Sequence, residues 1–155
     1  VRYVAERASI RRMNAAEYND FCHALPHTTH VNQWGGADVW KIGGKVFAIG
    51  WFADGEHPAI TFKVSDIGYE MLRDAPGLQP APYLASRGMK WIQNYDAPGL
   101  SDKHLKDFLT ESYRIVSLGL TKKLQKQLNV LLSKVNLLDS IIYYLMHKRI
   151  CLEIY

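Results

Sequence analysis

The stretch from Gln33 to Ser65, QWGGADVWKIGGKVFAIGWFADGEHPAITFKVS, constrains this chain more than any other. Three alternating apolar runs are separated by Gly43-Gly44 and by a polar loop, the pattern of a three-stranded antiparallel meander. Paired glycines suit a tight primed hairpin, because both central residues of a type I′ turn need positive φ. Counting outward from that turn, Ile42 should face Lys45 and Trp40 should face Phe47. Strict alternation then predicts one face made of Trp40, Ile42, Phe47, Ile49 and Trp51, continued by Ile60, Phe62 and Val64. Such a face needs a layer of helices over it. The other face would carry Val39, Lys41, Val46, Ala48, Gly50, Thr61 and Lys63. A lysine pair on a smooth sheet surface either keeps it soluble or touches an anionic partner.

The flanking segments supply the helices. Asn14 and Glu17 form a capping-box pair ahead of Tyr18, Phe21, Cys22 and Leu25, and Pro26 ends that helix. Ser65 or Asp66 can cap a short helix through Met71 and Leu72 that ends near Pro76-Gly77. After Pro80 and Pro82 a strand is expected around Met89 to Gln93, with Lys90 and Trp91 on opposite faces and Trp91 in the core. Ser101 caps a helix whose stripe is Leu105, Phe108, Leu109, Ser112, Ile115 and Val116, and Gly119 stops it. From Thr121 a further helix carries Leu124, Leu128, Leu131, Val135, Leu138, Ile142 and Leu145 at heptad spacing. Packing on the parent domain is favoured over a coiled-coil dimer, because the flanking positions lack the usual Glu/Lys pattern.

Charge narrows the partners. The chain has a net charge of +4, but Arg2, Arg7, Arg11 and Arg12 stand against Glu6 at the amino end. Residues 13–128 hold 12 basic and 12 acidic side chains, so the centre is neutral. Arg114, Lys122, Lys123 and Lys126 form an acid-free run behind Asp96, Asp102, Asp107 and Glu111, which makes the domain dipolar. Cys22 and Cys151 lack metal or disulfide-framework spacing, and a reducing cytoplasm is the expected home. No apolar run is long enough for a membrane span. His23, His27 and His30 have suggestive spacing, but Pro26 interrupts it and loop histidines are expected rather than a metal site. Gly43-Gly44-Lys45 is followed by a strand pattern and so is no phosphate loop. No Ser-His-Asp set, carboxylate pair or cofactor motif is recognisable, so neither an enzyme nor a cofactor is expected.

The strings MNAAEYNDFCHALPHTTH, QWGGADVWKIGGKVFAI, TFKVSD, PGLQPAPYLASRGMKWIQ, ESYRIV and LTKKLQKQL, in that order, resemble the MmcQ/YjbR family. The resemblance implies an α+β domain over residues 13–128, an antiparallel sheet of a meander plus a later strand backed by helices in two layers. That fold is similar to secretion chaperones and to a double-wing DNA-binding domain. Residues 1–12 then read as a flexible basic lead. Residues 129–155 read as an apolar, helical C-terminal extension that could support a dimer.

The resemblance also implies contact with the backbone of double-stranded DNA, with matching cations at Lys41, Lys45, Lys63, Arg87, Lys90, Lys122 and Lys123. Trp34 and Tyr83 match the same motifs and could equally be packing residues. The alternative is a chaperone-like module that holds a protein or an anionic small ligand without touching nucleic acid. Lys41, Lys63 and Arg87 would then clamp a carboxylate or phosphate.

Overall fold

The computed structural model describes residues 12–53 and 58–128. They form one six-stranded sheet, antiparallel at every pairing, in the order β1-β2-β3-β4-β6-β5. The strands are β1 Thr28–Gln33, β2 Ala37–Ile42, β3 Lys45–Trp51, β4 Ala59–Lys63, β5 Leu78–Pro80 and β6 Trp91–Asn94. Helices α1 (Ala15–Ala24), α2 (Asp66–Leu72) and α3 (Asp102–Leu118) bury their apolar sides in one core with one face of the sheet. A short α4, Lys122–Gln127, follows. The two-layer α+β architecture expected from the sequence is the one observed. The expected basic lead of residues 1–12, apart from Arg12, and the expected apolar extension of residues 129–155 with its dimer lie outside the described residues.

Local signals set these elements. Asn14 and Glu17 close a reciprocal capping box at 2.9 and 3.0 Å. Ser65, Ser101 and Thr121 each accept an amide bond as N-caps of α2, α3 and α4. The hairpin between β2 and β3 turns through Gly43 and Gly44 at φ +56° and +77°, and Ile42 pairs with Lys45. Two strands were not expected. Thr28–Gln33 is a polar edge strand rather than a loop, and Leu78–Pro80 is a three-residue edge strand whose proline blunts it. Helix α2 also stops at Leu72, before the Pro76-Gly77 turn.

One expectation is overturned by a single extra residue. Trp40 pairs with Ala48 and Lys41 with Val46, so Phe47 is a bulge in β3. Phe47 and Ala48 both face the helices and are completely buried. Beyond them the phase of β3 is reversed. Ile49 turns to the other face, where it packs with Ala37 and Val39, and Trp51 follows it. Gly50 takes the helix side, where a Cβ would come within 2.7 Å of the Tyr18 ring. The helix face therefore holds Trp40, Ile42, Phe47, Ala48, Ile60, Phe62 and Val64, without Ile49 or Trp51.

A hydroxyl from α3 holds the bulge. The β3–β4 ladder ends at Ala48 and Phe62, and the next rung would join the Lys63 amide to the Phe47 carbonyl. Ser112 Oγ stands in its place, accepting from Lys63 N–H at 2.8 Å and donating to Phe47 O at 2.6 Å. Leu105, Phe108, Leu109 and Val116 of α3 pack around it, with Phe108 stacked on Phe62 at 5.5 Å between centroids. Burying each such side chain is worth roughly 1.5–3 kcal/mol, and that burial seats the serine against the sheet.

Replacing Ser112 with alanine strands two buried backbone groups and is expected to cost about 1–3 kcal/mol in denaturant unfolding. Ser117 is as deeply buried, but its hydroxyl bonds the Tyr113 carbonyl within its own helix. Ser117→Ala is the control, expected to cost less than Ser112→Ala in the same measurement.

Candidate functional site

Among the described residues the helices cover only one face of the sheet. On the other, a cross-strand row runs Val31, Val39, Ile49, Thr61, Gln93, Gln79 through all six strands, each residue paired with the next. The segment from Ala81 to Leu84 rises beside this row and encloses a groove of about 620 Å³. Its floor is Ile49, Thr61 and Gln93, its far wall is Ala81, Pro82, Tyr83 and Leu84, and Trp34 and Trp51 border it. The rim aromatics are unusually open to solvent: Trp34 is 56%, Trp51 36% and Tyr83 69% exposed.

Two of these rim residues sit in strained backbone. Trp34 has φ +54°, ahead of Gly35 and Gly36 in the β1–β2 turn. Tyr83 has φ +67° at the centre of a γ-turn, closed by Leu84 N–H to Pro82 O at 2.8 Å. Large side chains rarely adopt this region, and strain of this kind gathers at functional sites. Burial does not explain either ring, since both project into solvent. Arg87 lies beside Tyr83, donating from Nη1 to the phenol oxygen at 2.7 Å with its guanidinium carbon 5.5 Å from the ring centre.

The cations that the resemblance implies, on the sheet face and in nearby loops, lie in several places. Lys41 lies half-buried on β2, on the open face opposite Val46. Lys63 and Lys90 line a second cleft of about 530 Å³ together with Asp66, and the Lys90 ammonium sits 4.5 Å from the Tyr69 ring centre. Arg87 does not line the groove but touches Tyr83, which does. Lys45, Lys122 and Lys123 are exposed at the hairpin end, where a Cβ added at Gly43 would come within 3.0 Å of the Leu120 and Leu124 side chains. Arg114 leaves the expected basic run by pairing with the buried Glu111 at 2.6 and 2.7 Å. Of Lys41, Lys63 and Arg87, only Lys63 lines either of these two clefts, and Arg87 bonds Tyr83.

His23 and His30 both pack against the Trp40 ring, at 5.9 and 4.9 Å between centroids. His30 Nε2 lies 2.8 Å from Asp38 Oδ1, while His23 packs edge-on to Trp40. Burial acts to raise the Asp38 pKa, but hydrogen bonds from His30, Asn19 and Asn32 and the His30 charge outweigh it and hold the carboxyl below its ordinary value. Among the described residues no group of three or more His, Cys, Asp or Glu could hold a metal. Trp91 is buried, as expected. Burial pushes the Cys22 thiol far above its ordinary pKa. Among the described residues no helix is long and apolar enough to cross a membrane.

Sequence reasoning marked Trp34 and Tyr83 without deciding their role and placed Trp51 in the core. The available signal was the proline-rich run QPAPYL, which reads as a loop and carries a large aromatic with no helical or strand phase to bury it.

Comparison with known proteins agrees with this architecture. The YjbR family model matches residues 23–115. An Escherichia coli O157:H7 protein described as uncharacterized protein YbdF is 33% identical over 92 residues, 58% of this chain and 72% of that one. The crystal structure of Deinococcus radiodurans protein DR2400, family-model domain DUF419, overlays with a TM-score of 0.65. At 22% identity, covering 76% of this chain and 88% of that one, it is a likeness of fold.

Tyr83→Gly separates function from stability at the rim. Relief of a left-handed backbone is worth roughly 1–2 kcal/mol and the added freedom of glycine when unfolded costs about 0.5–1 kcal/mol. Denaturant unfolding of the variant is therefore expected to match or slightly exceed the parent. A loss above about 2 kcal/mol, the scale of a buried aromatic, would make Tyr83 a packing residue.

Proposed function

The chain belongs to the YjbR family, and from that premise and the geometry of its open face we propose a non-catalytic binding module whose working surface is the sheet groove. One observation carries this reading: an apolar groove of about 620 Å³ on the uncovered face, bordered by three exposed aromatic side chains. Its volume falls in the range of small-ligand sites, roughly 300–1,000 Å³, and a mostly apolar lining with a few polar groups is their usual composition. The strain at Trp34 and Tyr83 supports it, because holding those rings at the rim costs stability that packing does not return.

A second reading, contact with the backbone of duplex DNA, is favoured by one feature. Lys45, Lys122 and Lys123 share the hairpin end of the molecule, and no acidic residue occurs from Gly119 to Leu128. The surface would be this basic end rather than the sheet face. Phosphate contact there would be independent of sequence, since α4 offers lysines without a base-reading set.

Nile red, a neutral dye that brightens in apolar sites, tests the first reading. Trp51→Ala is expected to weaken its binding by about 10-fold, the scale of one lost aromatic contact, with far-ultraviolet circular dichroism unchanged. Dye binding indifferent to both Trp51→Ala and Trp34→Ala would remove the groove from consideration. Fluorescence anisotropy with a mixed-sequence duplex tests the second. If the three lysines each neutralise a phosphate, log K should fall against log salt with a slope of about −3. Reversing Lys45, Lys122 and Lys123 to glutamate should abolish that binding, and binding that survives the reversal contradicts it.

A further inference from the structure

The lining of the groove restricts what can occupy it. Ile49, Thr61 and Gln93 are successive residues of one cross-strand row, so an apolar patch stands beside a hydroxyl and a carboxamide. Gln93 Oε1 accepts from Gln79 Nε2 at 2.8 Å, which fixes the amide plane and leaves the Gln93 NH₂ with no other partner among the described residues. An aliphatic occupant would strand these polar groups, at a cost of about 1–3 kcal/mol for each one left unpaired. A flat ring with hydrogen-bonding atoms on its edge would satisfy them and stack against the rim aromatics. No acidic side chain is among the described residues that line the groove. Beyond the lining residue Tyr83, the exposed Arg87 uses one N–H on the Tyr83 hydroxyl, and a guanidinium has further donors in a planar fork suited to an anion.

We infer that the groove binds a planar heteroaromatic ring carrying an anionic group, the chemistry shared by a nucleoside monophosphate and an aromatic carboxylic acid. This rests on the reading of the groove as the binding surface. The ring lies over Ile49 between the rim aromatics, Gln93 and Thr61 read its edge, and Arg87 takes the phosphate or carboxylate. Tyr83 is the link between the two halves, because its ring walls the groove while its hydroxyl holds the guanidinium. A γ-turn with positive φ at Tyr83 is what presents both.

The test uses the full chain, titrated calorimetrically with adenosine monophosphate and with indole-3-propionate. Adenosine and indole serve as their uncharged counterparts, and Nile red reports the groove independently. At least one anionic probe is expected to bind about 10-fold more tightly than its neutral counterpart, the scale of one charge-assisted hydrogen-bond pair. Arg87→Leu should erase that difference without weakening Nile red. Gln93→Leu should weaken the ring itself, charged or neutral. Binding of the nucleotide alone identifies a phosphate source, and binding of the acid alone identifies a carboxylate source; either supports the inference. If Nile red occupies the groove in a Trp51-dependent way and neither anionic probe binds, the ligand class is rejected while the binding groove stands. If Nile red is indifferent to the groove variants as well, the underlying reading falls and takes the inference with it. A single-stranded oligonucleotide that binds where the mononucleotide does not would also overturn it.

Discussion

The hydroxyl of Ser112 is the contact on which the rest of the structure depends. By replacing a direct Lys63–Phe47 rung it lets β3 carry an extra residue without leaving an amide or a carbonyl unpaired. The helix that supplies the hydroxyl is anchored independently by Leu105, Phe108, Leu109 and Val116. Core packing therefore positions a polar bridge, the bridge permits the bulge, and the bulge reverses which side chains β3 shows to solvent. Ile49 and Trp51 reach the open face only because of this sequence of dependencies. Without the reversal that face would offer Ala48 and Gly50, with no floor or rim for a groove.

The open face is consequently more than a solvated surface. Antiparallel sheets with one covered face commonly alternate apolar and polar residues. Here the uncovered side has its own small apolar cluster of Ala37, Val39 and Ile49, with Val31, Val46 and Leu84 packed against it. The 81–84 segment gives this cluster a wall, and the two positive-φ aromatics give it a rim. The cations do not converge in the same way. Arg87 bonds Tyr83, Lys90 sits over the Tyr69 ring and Arg114 pairs with the buried Glu111, each outside the strands. The net charge of the chain says little about its working surface for that reason.

Much of this architecture is legible in the residues. The paired glycines specify the hairpin turn, and the Asn14, Ser65, Ser101 and Thr121 caps mark the start of each helix, because these signals act over a few neighbouring residues. The bulge is not legible. In KVFAIGW the run Phe47, Ala48, Ile49 is apolar throughout, so either phase buries something acceptable, and only a serine 65 residues away decides between them. The edge strands escape for a related reason: THVNQ has one neighbour strand and little to bury, so its pairing rests on backbone bonds that leave no hydrophobic trace. Trp34 and Tyr83 carry no mark of their left-handed backbone, a conformation that sequence ordinarily announces through glycine or asparagine. The groove is thus built from the features that local pattern cannot report.

The phase of β3 is most directly tested by nuclear Overhauser contacts from the Ile49 methyl groups in isotope-labelled protein. Contacts to the side chains of Val39, Thr61 and Leu84 are expected, with none to Phe108 or Leu109. Contacts from Ile49 to those α3 side chains would restore strict alternation from Phe47 onward and contradict both the bulge and the groove it creates.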